Sequence, residues 1–422
     1  MINIEKLLKE SSAAEWKING VKTESYELFF VHSKLETVRA TDTDATTVTV
    51  YLDHDGKKGQ ASFKLYASTT ESEAKAKIDA ALGKAALISN QHYELPEGET
   101  LDGAIPSNFA DYDPKTVAAK ISDAVFSSDM LGLGSVNALE VFINKYTVSV
   151  KNSRGMDKRE VKYSAMIEAI PTWNEGESVE LYEAIRTSEF DYDKIKNEIE
   201  AKMREVRDRG CAKAPEGKLS CPVVLPAEEL SQLFGELAHT LDYAAVYTHQ
   251  NPFSEGDAIQ KAPTGDKITV TMKGQLKGST ASALFDGDGT TLIDTKVIDG
   301  GVVTSYFGSD RFAQYLGKKA TGSLSCYAVE CGTLTDEELN KKPYFECVSM
   351  SGLQLDIYND YIGGEVRLAY YFDGEKKLPV TGISISGKLS DALNSVRLST
   401  EEEQSGRYSG PKLALFEGIE IV

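Results

Sequence analysis

The chain has 422 residues, 46 Lys and Arg against 65 Asp and Glu for a formal charge of −19, five cysteines and five histidines. At roughly 150 residues per domain the length predicts two or three structural units, and the sparse cysteines do not resemble a secreted disulfide framework, which predicts free thiols and a cytoplasmic setting. The acidic balance, with a pI near 4.9, disfavours direct contact with nucleic-acid phosphates; no apolar run approaches the roughly 18 residues that predict a membrane span, and Met1 to Glu10 offers no apolar stretch of the kind an export signal needs.

From Ser25 to Tyr66 apolar residues alternate, as in Thr47-Val48-Thr49-Val50-Tyr51-Leu52, with a turn at Asp55-Gly56-Lys57-Lys58-Gly59. That period predicts antiparallel strands and a hairpin. Glu71 to Ile88 then places Ile78, Ala81, Leu82 and Ala85 at helical spacing, so this helix is expected to cover the sheet. Asp113-Pro114 reads as an N-cap and a first-turn proline, with Val117, Ile121, Ala124 and Val125 as the buried stripe. Alternation returns at Leu139 to Val150 and at Val161 to Arg186, around the turn Asn152-Ser153-Arg154-Gly155. Ile195, Ile199, Met203 and Val206 predict a closing helix, with Gly210 at its C-terminal cap. The polar run Cys211 to Pro222 marks the main boundary.

Residues 1–215 therefore read as an N-terminal α+β domain of antiparallel sheets covered by helices, made of two related sub-units of about 1–105 and 106–215. Residues 216–422 read as a β-rich C-terminal domain. It opens with a helix from Pro226, whose Leu230, Leu233, Phe234, Leu237, Leu241 and Ala244 share one side. Short strands follow from Lys267, interrupted by brief helices at Asp310 to Leu316, Asp336 to Leu339 and Ser390 to Val396.

Few chemical motifs survive inspection. There is no H-E-x-x-H, and Cys326, Cys331 and Cys347 lack a second ligand pair, so they read as small buried side chains. His32, His54 and His92 stand alone. Asp286-Gly287-Asp288-Gly289 fails as a calcium loop because Val297 occupies the twelfth position, and it reads as a tight hairpin turn, as does Asp299-Gly300-Gly301. No Gly-Lys pair is followed by Ser or Thr as a phosphate loop requires. Leu131-Gly132-Leu133-Gly134-Ser135 lacks the third glycine of a dinucleotide fingerprint and reads as a loop. Gly382 to Gly387 misses the nucleophile-elbow pattern by one residue and lies in strand text.

Several separated segments together resemble one family. They are Phe285-Asp286-Gly287-Asp288-Gly289-Thr290, Val297-Ile298-Asp299-Gly300-Gly301-Val302, then Ala313, Gly317 and Thr321-Gly322-Ser323, with Asn152-Ser153-Arg154-Gly155 in the first half. Thr335 to Leu339, Ser351-Gly352-Leu353, and Leu378-Pro379-Val380 leading into Ile383 to Leu389 continue the match in type and order. The pattern is similar to the TldD/PmbA family, also known as "modulator of DNA gyrase", which comprises intracellular peptidases and non-catalytic relatives. The resemblance implies an α+β N-terminal half joined to a β-rich C-terminal half. It also implies, for active members, a helix with H-E-x-x-x-H in which two imidazoles hold zinc and the Glu activates water.

Here that helix reads Phe234-Gly235-Glu236-Leu237-Ala238-His239-Thr240, so Gly235 and Thr240 stand where the two histidines belong, and the tail from Ser405 has no Cys to add a ligand. Neither glycine nor threonine replaces an imidazole. The sequence resembles the PmbA/TldE-like branch, whose members pair with an active TldD-type subunit. The expectation is a non-catalytic accessory subunit with no cofactor, binding extended or unfolded peptides, partnered by a TldD-like peptidase or by itself as a dimer. Glu236 and His239 fall at roughly 240° and 180° from Leu230 at about 100° per residue, away from the apolar stripe. The alternative is a self-sufficient metallopeptidase with a divergent zinc site built from His239, His249 and Glu236.

Overall fold

Two long antiparallel hairpins build the first half of the computed structural model, which describes residues 2–132, 134–175 and 178–422. Glu15–Val31 pairs with Lys34–His54 along its whole length. Asp55 and Gly56 both take left-handed backbone angles, φ 51° and 71°, as a two-residue hairpin turn requires, and the chain returns as Lys57–Leu65. The second hairpin joins Ser135–Asn152 to Asp157–Trp173. Its first strand pairs with the free side of Glu15–Val31, from Lys17 opposite Asn152 to Val31 opposite Ala138. The stretches read as two sub-units therefore share one nine-stranded sheet. Local alternation specifies each strand but not which open edge its neighbour will take.

Three long helices cover one face of this sheet, and the short helix Ile4–Glu10 adds Leu7 and Leu8 beside the first of them. Glu71–Ala85 opens with a capping box between Thr70 and Glu73 and buries Ile78 and Leu82 against Trp16, Val48 and Val50. Pro114–Phe126, capped by Asp113, and Tyr192–Cys211, capped by Asp191, bury Val117, Ile121, Ile195, Ile199 and Met203 against Val141, Ile143 and Ile167. Each such side chain contributes about 1.5–3 kcal/mol of burial. Gly210 lies inside the last helix, which ends beyond Cys211 as Ala212 turns extended. The expected cap is thus two residues early, because packing continues the helix through a residue that sequence alone reads as a stop. Gly132 ends a 3-10 turn with φ 61°; Leu133, in the loop expected around it, lies outside the described residues.

The second half holds a nine-stranded and a six-stranded sheet, which confirms the α+β class with a β-rich C-terminal region. The helix Ala227–His239 packs against both sheets, its Leu230, Leu233, Phe234 and Leu237 all in the core. The expected single helix to Ala244 is two. The first ends at Thr240, and Asp242 starts Tyr243–Tyr247 by accepting a hydrogen bond from the Ala244 N–H at 2.7 Å. The five cysteines are unpaired, two of them buried. No described helix is long and apolar enough to cross a membrane.

The halves meet through two turns singled out in the sequence. Asp286, 9 % exposed, accepts hydrogen bonds from the Asp288 N–H at 2.9 Å and the Thr290 N–H at 3.0 Å. Its other oxygen takes the Ser323 N–H at 3.0 Å, so one carboxylate ties Phe285–Thr290 to Thr321-Gly322-Ser323. The turn rests on the first domain through a Lys17–Asp288 ion pair and an Asn19 amide donating to the Gly287 carbonyl at 2.8 Å. Gly289 is required there: its φ is 87°, and a Cβ would sit 2.9 Å from Met156 Cγ. Asn152 in turn accepts from the Arg154 and Met156 N–H groups at 2.9 and 3.1 Å.

A second contact between the halves is carboxylate-rich. Lys202 lies 3.3 Å from Glu183 and 3.2 Å from Glu205, close enough to Glu228 to feel its charge. Burial pushes Glu198 and Glu229 up to about 7, with Glu183 adding to the first and Glu228 to the second.

Two outcomes follow from these junctions. Asp286→Ala leaves three backbone N–H groups without their acceptor and is expected to lower stability by about 2–4 kcal/mol in urea unfolding, with Asp286→Asn losing less. Because the folded state binds the Glu198 and Glu229 protons more tightly than an unfolded chain with values near 4.5, their protonation stabilises the fold at low pH. That contribution is lost as pH rises through about 7. Thermal unfolding between about pH 5 and 8 should show the decline, and Glu198→Gln with Glu229→Gln should flatten it.

Candidate functional site

The helix Ala227–His239 carries the degenerate motif, and its register follows from the apolar stripe that fixes it between the sheets. With Leu233, Phe234, Leu237 and Ala238 buried, Glu236 and His239 are forced to the exposed side. Gly235 and Thr240 are half-buried at its edges.

Gly235 faces Tyr327, a residue of the strand Cys326–Val329. A Cβ added at Gly235 would lie 2.9 Å from the Tyr327 hydroxyl oxygen and 3.4 Å from Cζ. The ring is held there from both sides. Its hydroxyl donates to the Ser231 carbonyl and lies 3.0 Å from Ser231 Oγ, and its ring meets Tyr408 edge-on at 5.9 Å. Tyr327 is 6 % exposed, and burial pushes its phenol up, with Glu236 contributing further in the same direction. The space an imidazole would need at position 235 is thus filled by a phenol locked to the helix one turn earlier.

Thr240 is committed elsewhere, its hydroxyl donating to the Leu237 carbonyl at 2.7 Å. His249 lies beyond the next helix, exposed, with φ 59°. Glu236 and His239 are exposed helix residues three apart, and Asp242, held above its ordinary value by burial, spends its carboxylate on capping. These residues do not fit a tetrahedral zinc site. Among the described residues no three His, Cys, Asp or Glu side chains converge to hold a metal ion.

The segments that carried the family resemblance have mostly architectural places. Phe285–Thr290, Thr321-Gly322-Ser323 and Asn152–Gly155 form the junction of the halves, and Thr335 with Glu338 makes a capping box. Lys377–Val380 and Ile383–Gly387 are strands beside Tyr361–Phe372. Sequence reading did not single out Tyr327. The residue lies in ordinary strand text, 96 positions from its partner Ser231, and no spacing rule connects them.

Comparison with known proteins agrees with this architecture. Residues 216–422 match the model of the PmbA/TldA metallopeptidase C-terminal domain. An uncharacterised protein of Methanocaldococcus jannaschii is 25% identical over 165 residues, 36% of this chain, and the match spans only 39% of that relative's length. The crystal structure of TldE from Thermococcus kodakarensis superposes with a TM-score of 0.80 at 15% identity, over 99% of each chain. That of a candidate modulator of DNA gyrase from Thermotoga maritima gives 0.76 at 16%, over 99% of this chain and 98% of the other. A second such protein, from Bacteroides thetaiotaomicron, gives 0.77 at 14%, over 99% and 97%. At these identities the structural likeness establishes the fold. Through its matched C-terminal domain, the chain belongs to the TldD/PmbA family.

Proposed function

We propose that this protein is a PmbA/TldE-like accessory subunit of a cytoplasmic metallopeptidase system: it holds no catalytic zinc and presents extended or unfolded peptides to a TldD-like subunit. The observation that carries this reading is the Tyr327 hydroxyl standing 2.9 Å from where a side chain at position 235 would begin. A chain that fills the place of the first ligand, and spends position 240 on a bond to the Leu237 carbonyl, has side chains arranged for packing rather than for a metal. Without an activated water, hydrolysis must come from a second polypeptide. The likeness to TldE supports such pairing, and the charge of −19 argues against DNA as the direct partner.

Co-expression with a family member bearing an intact H-E-x-x-x-H tests the pairing. The expected result is co-elution of the two chains and chelator-sensitive peptide cleavage that the present chain alone lacks. Chelator-sensitive cleavage by the isolated chain would overturn it. A second expectation concerns the packing itself. Gly235→His with Thr240→His should destabilise the fold by about 1–3 kcal/mol through overpacking and leave zinc uptake low, whereas adding Tyr327→Ala should raise zinc affinity above that of the double variant, read by metal titration.

A further inference from the structure

The face of the N-terminal sheet opposite its helices bears a groove of about 490 Å³, with Thr280 of the second half at its border. Such a volume is within the usual range for small ligands, roughly 300–1,000 Å³. Cross-strand pairs form its floor. Val21 lies opposite Val148, Tyr146 opposite Lys162 and Phe142 opposite Met166, and Met166 opposite Arg186. Period-two alternation puts these side chains on one face.

The charge of this groove runs against the rest of the molecule. Its lining includes Lys162 and Arg186 and no carboxylate, in a chain whose formal charge is −19. The hydrogen bond described for Lys162 Nζ is a long one, 3.5 Å to the Ser282 carbonyl. The carboxylates nearby on the same face are engaged elsewhere: Glu27 pairs with Arg39, Glu160 accepts from the Leu284 N–H at 2.7 Å, and Glu168 accepts from the Tyr182 hydroxyl at 2.6 Å. Beyond Met166, Glu140 faces Glu168 across the strands and closes the cationic stretch.

We propose that this groove binds a short extended peptide segment carrying carboxylates, with Lys162 and Arg186 taking one each and the Phe142, Tyr146 and Met166 side chains packing along the intervening residues. Lys162 and Met166, the residue opposite Arg186, are four positions apart on one strand, about 13 Å at the rise of an extended chain. Carboxylates four residues apart in the ligand match that span. The assignment deepens the peptide-holding part of the proposed function and rests on it.

Fluorescence polarisation with the full-length protein at near-physiological salt tests both levels. The probes are labelled Asp-Val-Thr-Val-Asp amide, its Asn-Val-Thr-Val-Asn amide counterpart, and the latter as the free acid, which separates side-chain from C-terminal carboxylates. The expected result is binding of the acidic amide about tenfold tighter than the neutral amide, with the free acid between them, and a loss of about three- to tenfold in Lys162→Gln and in Arg186→Gln. Both variants are surface changes whose folding is checked by thermal unfolding. Equal binding of all three probes, or unchanged binding of the acidic probe to both folded variants, would overturn the groove while leaving peptide binding intact. No binding of any probe to the unaltered protein would overturn the groove together with the peptide-holding role.

Discussion

The contact between the Tyr327 phenol and the bare backbone of Gly235 is the constraint on which the functional account depends. It is a packing relation before it is a chemical one. A strand of the six-stranded sheet can bring a large ring this close to the helix only because position 235 has no side chain, and the hydroxyl then bonds back to Ser231. A helix that carries a metal has to leave room for imidazoles on one side while burying its apolar stripe on the other. Here the stripe is retained, with Leu230, Leu233, Phe234 and Leu237 at 0–1 % exposure, and the room is given to the tyrosine. The bare position 235 is thereby coupled to the buried Tyr327–Ser231 hydrogen bond, and a histidine placed at 235 alone would meet the phenol.

The same economy explains why so much of the family pattern lies away from that helix. Asp286 organises its own turn and pins Ser323, while Gly289 allows the turn to approach Met156 beside the Asn152–Gly155 turn. The two halves meet through these polar turns and through apolar clusters that cross the junction, Val150 and Met156 with Phe285, and Tyr51, Tyr93 and Leu95 with Tyr315. None of the hydrogen bonds that Asp286 and Asn152 make at this junction involves position 235 or 240.

What could be read in the sequence was what local physics decides. The period of two in Thr47 to Leu52, the Asp113-Pro114 helix start and the Asp-Gly turns all appear as their side chains dictate. The outward direction of Glu236 and His239 follows from the helical period in the same way. What could not be read depends on contacts between distant residues. The single sheet arises because Glu15–Val31 has a second edge to offer, the helix runs through Gly210 because its apolar side is held by the sheet, and Tyr327 meets Gly235 from across the domain. None of these leaves a mark within a window of ten or twenty residues.

The central claim is that the helix surface around Glu236 and His239 is no metal centre, and the most direct measurement is elemental analysis of untagged protein purified without chelator, paired with anomalous diffraction at the zinc edge. The account predicts substoichiometric metal and no anomalous peak within bonding distance of either side chain. A stoichiometric transition metal, with its peak against the His239 imidazole, would contradict it.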